Sequence, residues 1–482
     1  MNSTPLLLRF TVSSVALTLT AALLGAADTP PAAPADELPT SVQVERVEFG
    51  RIDPKVALSN RARVSRDFTA VASLEDAEGG LRVVAGGVPG PVYKSIYALN
   101  FAPAGHRWSC EVSSGSGQCA VMVDGEPGPV FETADDVTWS ADGRHYLYRV
   151  RRASDSAWAL VFDGQVGDFQ SGRIAVLALS PDGAHQVCVR ENETGQATLA
   201  FYDGRRFGET YTGFSYSPFK WSEDGTLFAA VAKQGNENVL VVNREERARG
   251  SSIDPDYLVL SKDGRHFAAV VAQGTGGYLV VHDARHLGPY KDVWGAPALA
   301  PDGARVAFVA TLDDDLAHAV IDGAAGPAAS TRYGVKNLQV SGDGRVVGYL
   351  RQTGADQFAI QVGDRTVIEG PGIQRLWLSP DGSSTAWSVK AENGVRVVVN
   401  GNASEPVFRD VEPDAARFSP DGRTFLYLAT RDRKSSTVRA TGLGGRTYEV
   451  AAPMFTFPSP GVVTFVSYEK GAFARETWKL PR

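Results

Sequence analysis

The residues most able to do chemistry in this chain are carboxylates that return at a fixed interval. Eight tetrapeptides end in Asp-Gly: Ser140-Ala-Asp142-Gly, Ser180-Pro-Asp182-Gly, Ser222-Glu-Asp224-Gly, Ser261-Lys-Asp263-Gly, Ala300-Pro-Asp302-Gly, Ser341-Gly-Asp343-Gly, Ser379-Pro-Asp381-Gly and Ser419-Pro-Asp421-Gly. Their aspartates stand 40, 42, 39, 39, 41, 38 and 40 residues apart. Gathered at one centre, such a set would hold a hard cation, whose ligands are oxygens. Repetition at one interval instead puts each aspartate at the same corner of a repeated module, so structural turns are expected. Proline presets a φ of roughly −65°, aspartate takes the next position and bonds nearby N–H groups, and glycine takes the left-handed position closed to branched side chains. The serine hydroxyl caps the corner.

Other candidates are weighed on the same terms. Asp313-Asp314-Asp315 suits calcium in ligand type, yet it lacks the Asp-x-Asp-x-Asp-Gly loop with a distal glutamate and reads as a solvated acidic turn. Seven histidines, His106, His145, His185, His266, His282, His286 and His318, show no metal spacing. No Gly-x-Ser-x-Gly elbow, His-Glu-x-x-His or phosphate loop occurs, so no catalytic residue, metal or cofactor is assigned. Cys110 and Cys119 flank a hairpin tip. With a turn centred near Ser114-Gly115 they are expected to face each other, and export would permit a disulfide. Cys188 takes a strand position usually filled by an apolar residue and reads as core. Trp139, Trp221 and Trp377 come just before turns. At a channel mouth they would stack on a sugar or peptide; otherwise such rings pack as core.

The elements that carry these residues repeat with them. A short apolar strand runs into each Ser-x-Asp-Gly turn, as in Val137-Thr-Trp139, and a second leaves it, as in Val306-Ala-Phe-Val-Ala310. A third strand ends in a further turn, as in Leu160-Val-Phe-Asp-Gly164, and a weaker fourth segment carries Gly-Pro and an aromatic, as in Gly128-Pro-Val-Phe131. Worn copies at Ser65-Arg-Asp67, Ala102-Pro-Ala-Gly105 and Ser459-Pro-Gly461 bring the total to eleven units from about residue 57 onward. Four short antiparallel strands per ~40 residues describe a β-propeller blade, which buries its faces only against neighbours. The predicted fold is all-β, a propeller of about eleven four-stranded units. Because propellers typically have about 4–8 blades, two tandem rings are expected, residues 43–250 holding units 1–5 and residues 251–482 holding units 6–11. The boundary falls where Arg244-Glu-Glu-Arg-Ala-Arg249 replaces the usual outer strand. One large ring over residues 43–482, closed by Ser41 to Phe49 against the last unit, is the rival.

The Ser-Pro-Asp-Gly turns followed by apolar strands resemble the WD-repeat-like propellers of bacterial envelope proteins, the TolB type, over roughly residues 57–482. The Trp-Asp dipeptide of eukaryotic WD repeats is absent, and Gly-His occurs once, at Gly105-His106. The resemblance implies a propeller and leaves function open.

Residues 1–27 read as a secretory signal: Arg9 is the only charge, Phe10 to Leu24 is apolar, and Gly25-Ala26-Ala27 supplies small residues for cleavage. That apolar stretch is shorter than the ~20 residues that span a bilayer, so no stable span is expected after the signal is removed. Residues 28–42 are Pro/Ala-rich and read as a linker. The formal charge of −7 argues against nucleic acid as a partner. With 3 Cys and 7 His among 482 residues, disulfide-dense and zinc-array classes are excluded. The expectation is a periplasmic or secreted propeller that binds another envelope or secreted protein, or scaffolds it, and is not an enzyme. Its alternatives are a hydrolase, lyase or lactonase acting in the channel, and a glycan or small-ligand binder.

Overall fold

The computed structural model describes residues 38, 41–51, 61–115, 117–192, 194–195, 198–403, 407–430, 435–451 and 455–481. The expected signal at 1–27 and most of the linker at 28–42 lie outside them. The described chain is almost wholly strand, with one short 3₁₀ turn at Gly274–Gly276. Eleven antiparallel sheets follow one another along the sequence, and ten are four-stranded in simple up-and-down order. We number them blades 1 to 11, from the sheet that begins at Ala62–Val64 to the sheet that ends at Ala472–Lys479. Within each, the strand entering the Ser-x-Asp-Gly corner lies at the inner edge and the fourth strand at the outer edge.

The apolar core is partitioned as the repeat demands. Eleven clusters of buried apolar side chains are present, each drawn from two successive blades. A sheet buried on both faces carries consecutive apolar residues, and Phe228 to Ala232 of blade 5 are all buried. The last cluster joins Val466, Tyr468 and Phe473 of blade 11 to Phe68 and Val71 of blade 1. The sheets therefore make one closed, eleven-bladed propeller.

That closure corrects the expectation of two tandem rings. Leu227, Val231 and Leu240 of blade 5 share a core with Ile253, Leu258 and Val271 of blade 6, so residues 250 and 251 join two packed blades. The charged segment thought to replace an outer strand is one: Glu245–Gly250 pairs with Glu237–Val242. Charged side chains suit a sheet edge because they discourage pairing with other chains.

Blade 11 is completed from both ends of the described chain. The N-terminal strand Gln43–Arg51 pairs antiparallel with Ala472–Lys479 and supplies the outer strand. Val450–Ala451 and Thr456–Ser459 both pair with Val462–Glu469 and supply the inner edge. No helix among the described residues is long and apolar enough to cross a membrane.

Candidate functional site

Two sets of polar side chains face the middle of the ring. The first is the set of repeated corners. In seven of them the serine Oγ donates to the aspartate Oδ1 across 2.5–2.6 Å. The same Oδ1 accepts the N–H two residues on, as from Arg144 to Asp142 at 2.9 Å and from Ser383 to Asp381 at 3.1 Å. The serine also accepts an N–H from five residues on, as from His185 to Ser180 at 2.9 Å. Bonds to the ionised form favour it. The serine hydroxyls accordingly hold Asp142, Asp182, Asp224, Asp263, Asp343 and Asp421 below the usual carboxylate range, and Asp381 falls to about 2. Asp302 follows Ala300 and keeps only the N–H of Ala304, at 3.1 Å. Successive corners are also linked directly: the N–H of Asp343 donates to the Pro380 carbonyl of the next blade at 2.8 Å.

A second circle of aspartates lies just outside, at the turns into the outer strands. Asp163, Asp203 and Asp283 each pair with a histidine that follows a corner, His145, His185 and His266, at 2.6–2.7 Å. Arg107 and Arg305 occupy the same station in blades 2 and 7, against Asp124 and Asp322. Asp314, of the acidic triplet, accepts from His318 at 2.9 Å, and Asp315 is paired with Lys291 at 3.0 Å.

The second polar set lines the inner wall, where each of blades 2 to 10 carries a surplus. Between the same two rungs the second strand advances four residues. The inner strand advances five in blades 2, 3, 4, 8 and 9, six in blade 7, and seven in blades 5, 6 and 10. The longest surpluses contain proline, at Pro218, Pro255 and Pro413, where no N–H is owed to the ladder. Such bulges re-aim side chains. They put Asp135 and Asp136 on blade 3, Asp254 and Asp256 on blade 6, and Glu412 and Asp414 on blade 10.

The blade 3 bulge is the most developed of these. Asp136 sits at φ 65°, and its N–H donates to Glu111 Oε1 of blade 2 at 3.0 Å. Arg149 Nε donates to Asp135 at 2.7 Å, and its Nη1 donates to the Ile174 and Ala175 carbonyls of blade 4 at 2.7 and 2.9 Å. Arg149 also lies 3.7 Å from Asp136. Enclosure by the surrounding protein pushes Glu111 and Asp136 up, although the Asp136 side chain stays half exposed, and the neighbouring aspartates add to it. On blade 10, burial and then Asp414 push Glu412 up. On blade 5, Lys220 donates to the Leu258 carbonyl of blade 6 at 2.7 Å, and burial lowers its ammonium pKa. Tyr97, 60% exposed, stands opposite Glu111 across the strands. This wall can bind cationic or hydroxylic groups and can exchange protons. Glu111 and Asp136 belong to no repeating motif; the one sequence signal is the acidic pair Asp135-Asp136 ahead of the cap Ser140, since no other copy has two carboxylates in succession at those offsets.

The remaining sequence expectations are corrected here. Cys110 and Cys119 do not face each other: Cys110 pairs with Met122 and Cys119 with Ser113, and both thiols are free. The hairpin is centred beyond the Ser114-Gly115 pair, so the two cysteines stand three rungs apart. Burial pushes the Cys110 thiol up to about 12. Cys188 is buried between blades 3 and 4. The three tryptophans are wedged between blades and do not ring the channel mouth. Trp139 donates to Ser109 Oγ of blade 2 at 3.0 Å, Trp221 packs 5.9 Å from Tyr202 of blade 4, and Trp377 lies 5.3 Å from Phe425 of blade 10.

No protein-family profile and no curated protein matches this sequence. Among solved structures the chain is similar to one titled "Structure of Dos1 propeller", at 10% identity and a TM-score of 0.33, over 64% of this chain and 93% of that one.

Proposed function

We propose that this chain is an exported, TolB-like propeller of the cell envelope or its surroundings, and that it binds another protein through one arc of its rim. The observation that carries this reading is an uneven outer edge. On the outer strands and adjoining loops of blades 11, 1, 2 and 3, large apolar side chains stand in water: Val44, Val47, Val88, Val92, Val130 and Val166, with Val88 at 70% and Val130 at 58% exposure. Contiguous exposed apolar surface marks interaction, and the only other outer strand with such residues among the described ones, Arg365–Pro371 of blade 8, carries just the adjacent pair Val367 and Ile368. Glu45, Glu126 and Asp168 lie among these residues and make no ion pair among the described residues. The arc therefore suits a partner that offers apolar anchors flanked by Lys or Arg.

The outer strands of blades 4 to 6 differ. They carry Arg206, Arg247, Arg249 and Arg285, with Arg247 and Arg249 held by Glu245 and Glu246, and none of their large apolar side chains is exposed. A photo-crosslinking amino acid at Val88 or Val130 should trap a discrete protein adduct in exporting cells, whereas the same group at Arg206 or Arg285 should not. Equal trapping at all four positions, or none, would overturn the reading.

Chemistry in the channel is the second reading, and it rests on the raised carboxyls of Glu111 and Asp136 beside Arg149. A proton-sharing carboxyl pair is what a hydrolase or lyase uses. Loss of a measured turnover in Glu111→Gln, with crosslinking at Val88 unchanged, would favour it.

A further inference from the structure

We propose that blade 11 carries a proton-sensitive pin: the buried carboxyl of Glu476 sets how firmly the N-terminal strand holds the ring shut.

Glu476 stands on Ala472–Lys479, directly across from Arg46 of the closing strand on one side and Phe465 on the other. It is 0% exposed and lies among Phe465, Tyr448 and Trp478, all buried. Its Oε1 accepts from Ser467 Oγ at 2.8 Å and lies 3.5 Å from Arg46 Nε. Its Oε2 has no hydrogen-bond partner among the described residues. Arg46 spends its strongest contact elsewhere, on Glu469 at 2.7 Å. Ten blades take their outer strand from their own chain segment; blade 11 takes it from Gln43–Arg51, so whatever weakens this contact opens the ring.

An ionised carboxylate here has lost its water and regained one hydrogen bond and one distant guanidinium. Burying a charge on those terms is costly. Protonation removes the charge and gives the bare oxygen a hydrogen to donate. The charged and titratable groups facing Glu476 are Arg46 on the closing strand, Arg446 and Tyr448 on the outer strand of blade 10, and Glu469 at the end of Val462–Glu469. Burial is the largest influence and moves the carboxyl upward; Ser467, Arg446 and Arg46 oppose it, and Glu469 adds to it. A carboxyl raised in the closed form binds its proton more tightly there than in the open form. Closure is then strongest below the ordinary glutamate range of about 4.3 and weakens as pH rises through the raised value.

Hydrogen exchange on the full chain tests this. Between about pH 5 and about pH 8, after correction for intrinsic rates, protection of Gln43–Arg51 should fall about tenfold, while that of the blade 8 outer strand, Arg365–Pro371, stays level. Glu476→Gln should remove the pH dependence. Glu469→Gln, which leaves the buried carboxyl in place, should retain it. A flat or reversed profile in the unmodified protein would overturn the proposal, as would the same profile in Glu476→Gln.

Discussion

The corner aspartates and the inner-wall acids are the same functional group in opposite states. At the corners each carboxylate is exposed or nearly so, and in all but Asp302 it accepts a hydroxyl and a backbone N–H from its own turn. At the wall, the surrounding protein drives Glu111, Asp136 and Glu412 upward although Asp136 and Glu412 still touch water, and like charges add to it: Asp135 at Glu111 and Asp136, and Asp414 and Asp410 at Glu412. Recurrence separates the two sets. A carboxylate present in nearly every blade serves what every blade needs, a closed corner; one present in a single blade answers to something local. In this propeller the repeated acids are the ones held within their own turns.

That contrast can be broken by experiment. The largest effect is expected at a corner. Ser180 is buried, donates to Asp182 and accepts from the His185 N–H. Ser180→Ala leaves both unserved and should cost about 1–3 kcal/mol, read as a lower denaturant midpoint with an unchanged slope. A neutral result would remove the structural role from the corners.

At the wall the sign reverses. Because Glu111 is raised in the folded state, its contribution is full below the ordinary glutamate value and is lost as pH rises through the folded one. Glu111→Gln should therefore stabilise the protein by about 1 kcal/mol at neutral pH, and the gain should vanish below about pH 4. Blade 7 offers a natural deletion, since Asp302 follows Ala300. Ala300→Ser should restore the missing bond and stabilise by about 0.5–1.5 kcal/mol in the same denaturant measurement.

The smallest effect is the acid limb. The corner aspartates are lowered, so their contribution is present above the ordinary value of about 3.9 and is lost as pH falls toward about 2. Asp381→Asn should lower the melting temperature slightly at neutral pH, and the difference should close as pH falls over that range.

The sequence disclosed most of what repeats. Corner position, strand order and the number of units follow from the aspartate interval, because a turn requires particular residues at particular offsets. The closing segment was legible as apolar and charged residues ahead of the first unit. Ring number was not, because a general preference for small rings outweighed the uniform spacing that argued for one. The cysteine register was not, since a one-residue change in hairpin length moves facing positions without altering composition. Trp139, Trp221 and Trp377 share an inner-strand end with a channel and with a blade interface, and only packing distinguishes the two. The wall surplus can be read in retrospect: Ile253 to Ser261 and Val411 to Ser419 span eight positions, where Ala134 to Ser140 spans six, and the longer segments hold proline.

The pairing of Gln43 with Lys479 carries a consequence for the order of events. Ten blades can form as their residues emerge, each leaning on the one before. The strand Gln43–Arg51 has no mate until Ala472–Lys479 has been delivered, more than four hundred residues later. Until then the assembly is an open arc with two bare ends, and the circle is finished only when two segments far apart in the chain meet.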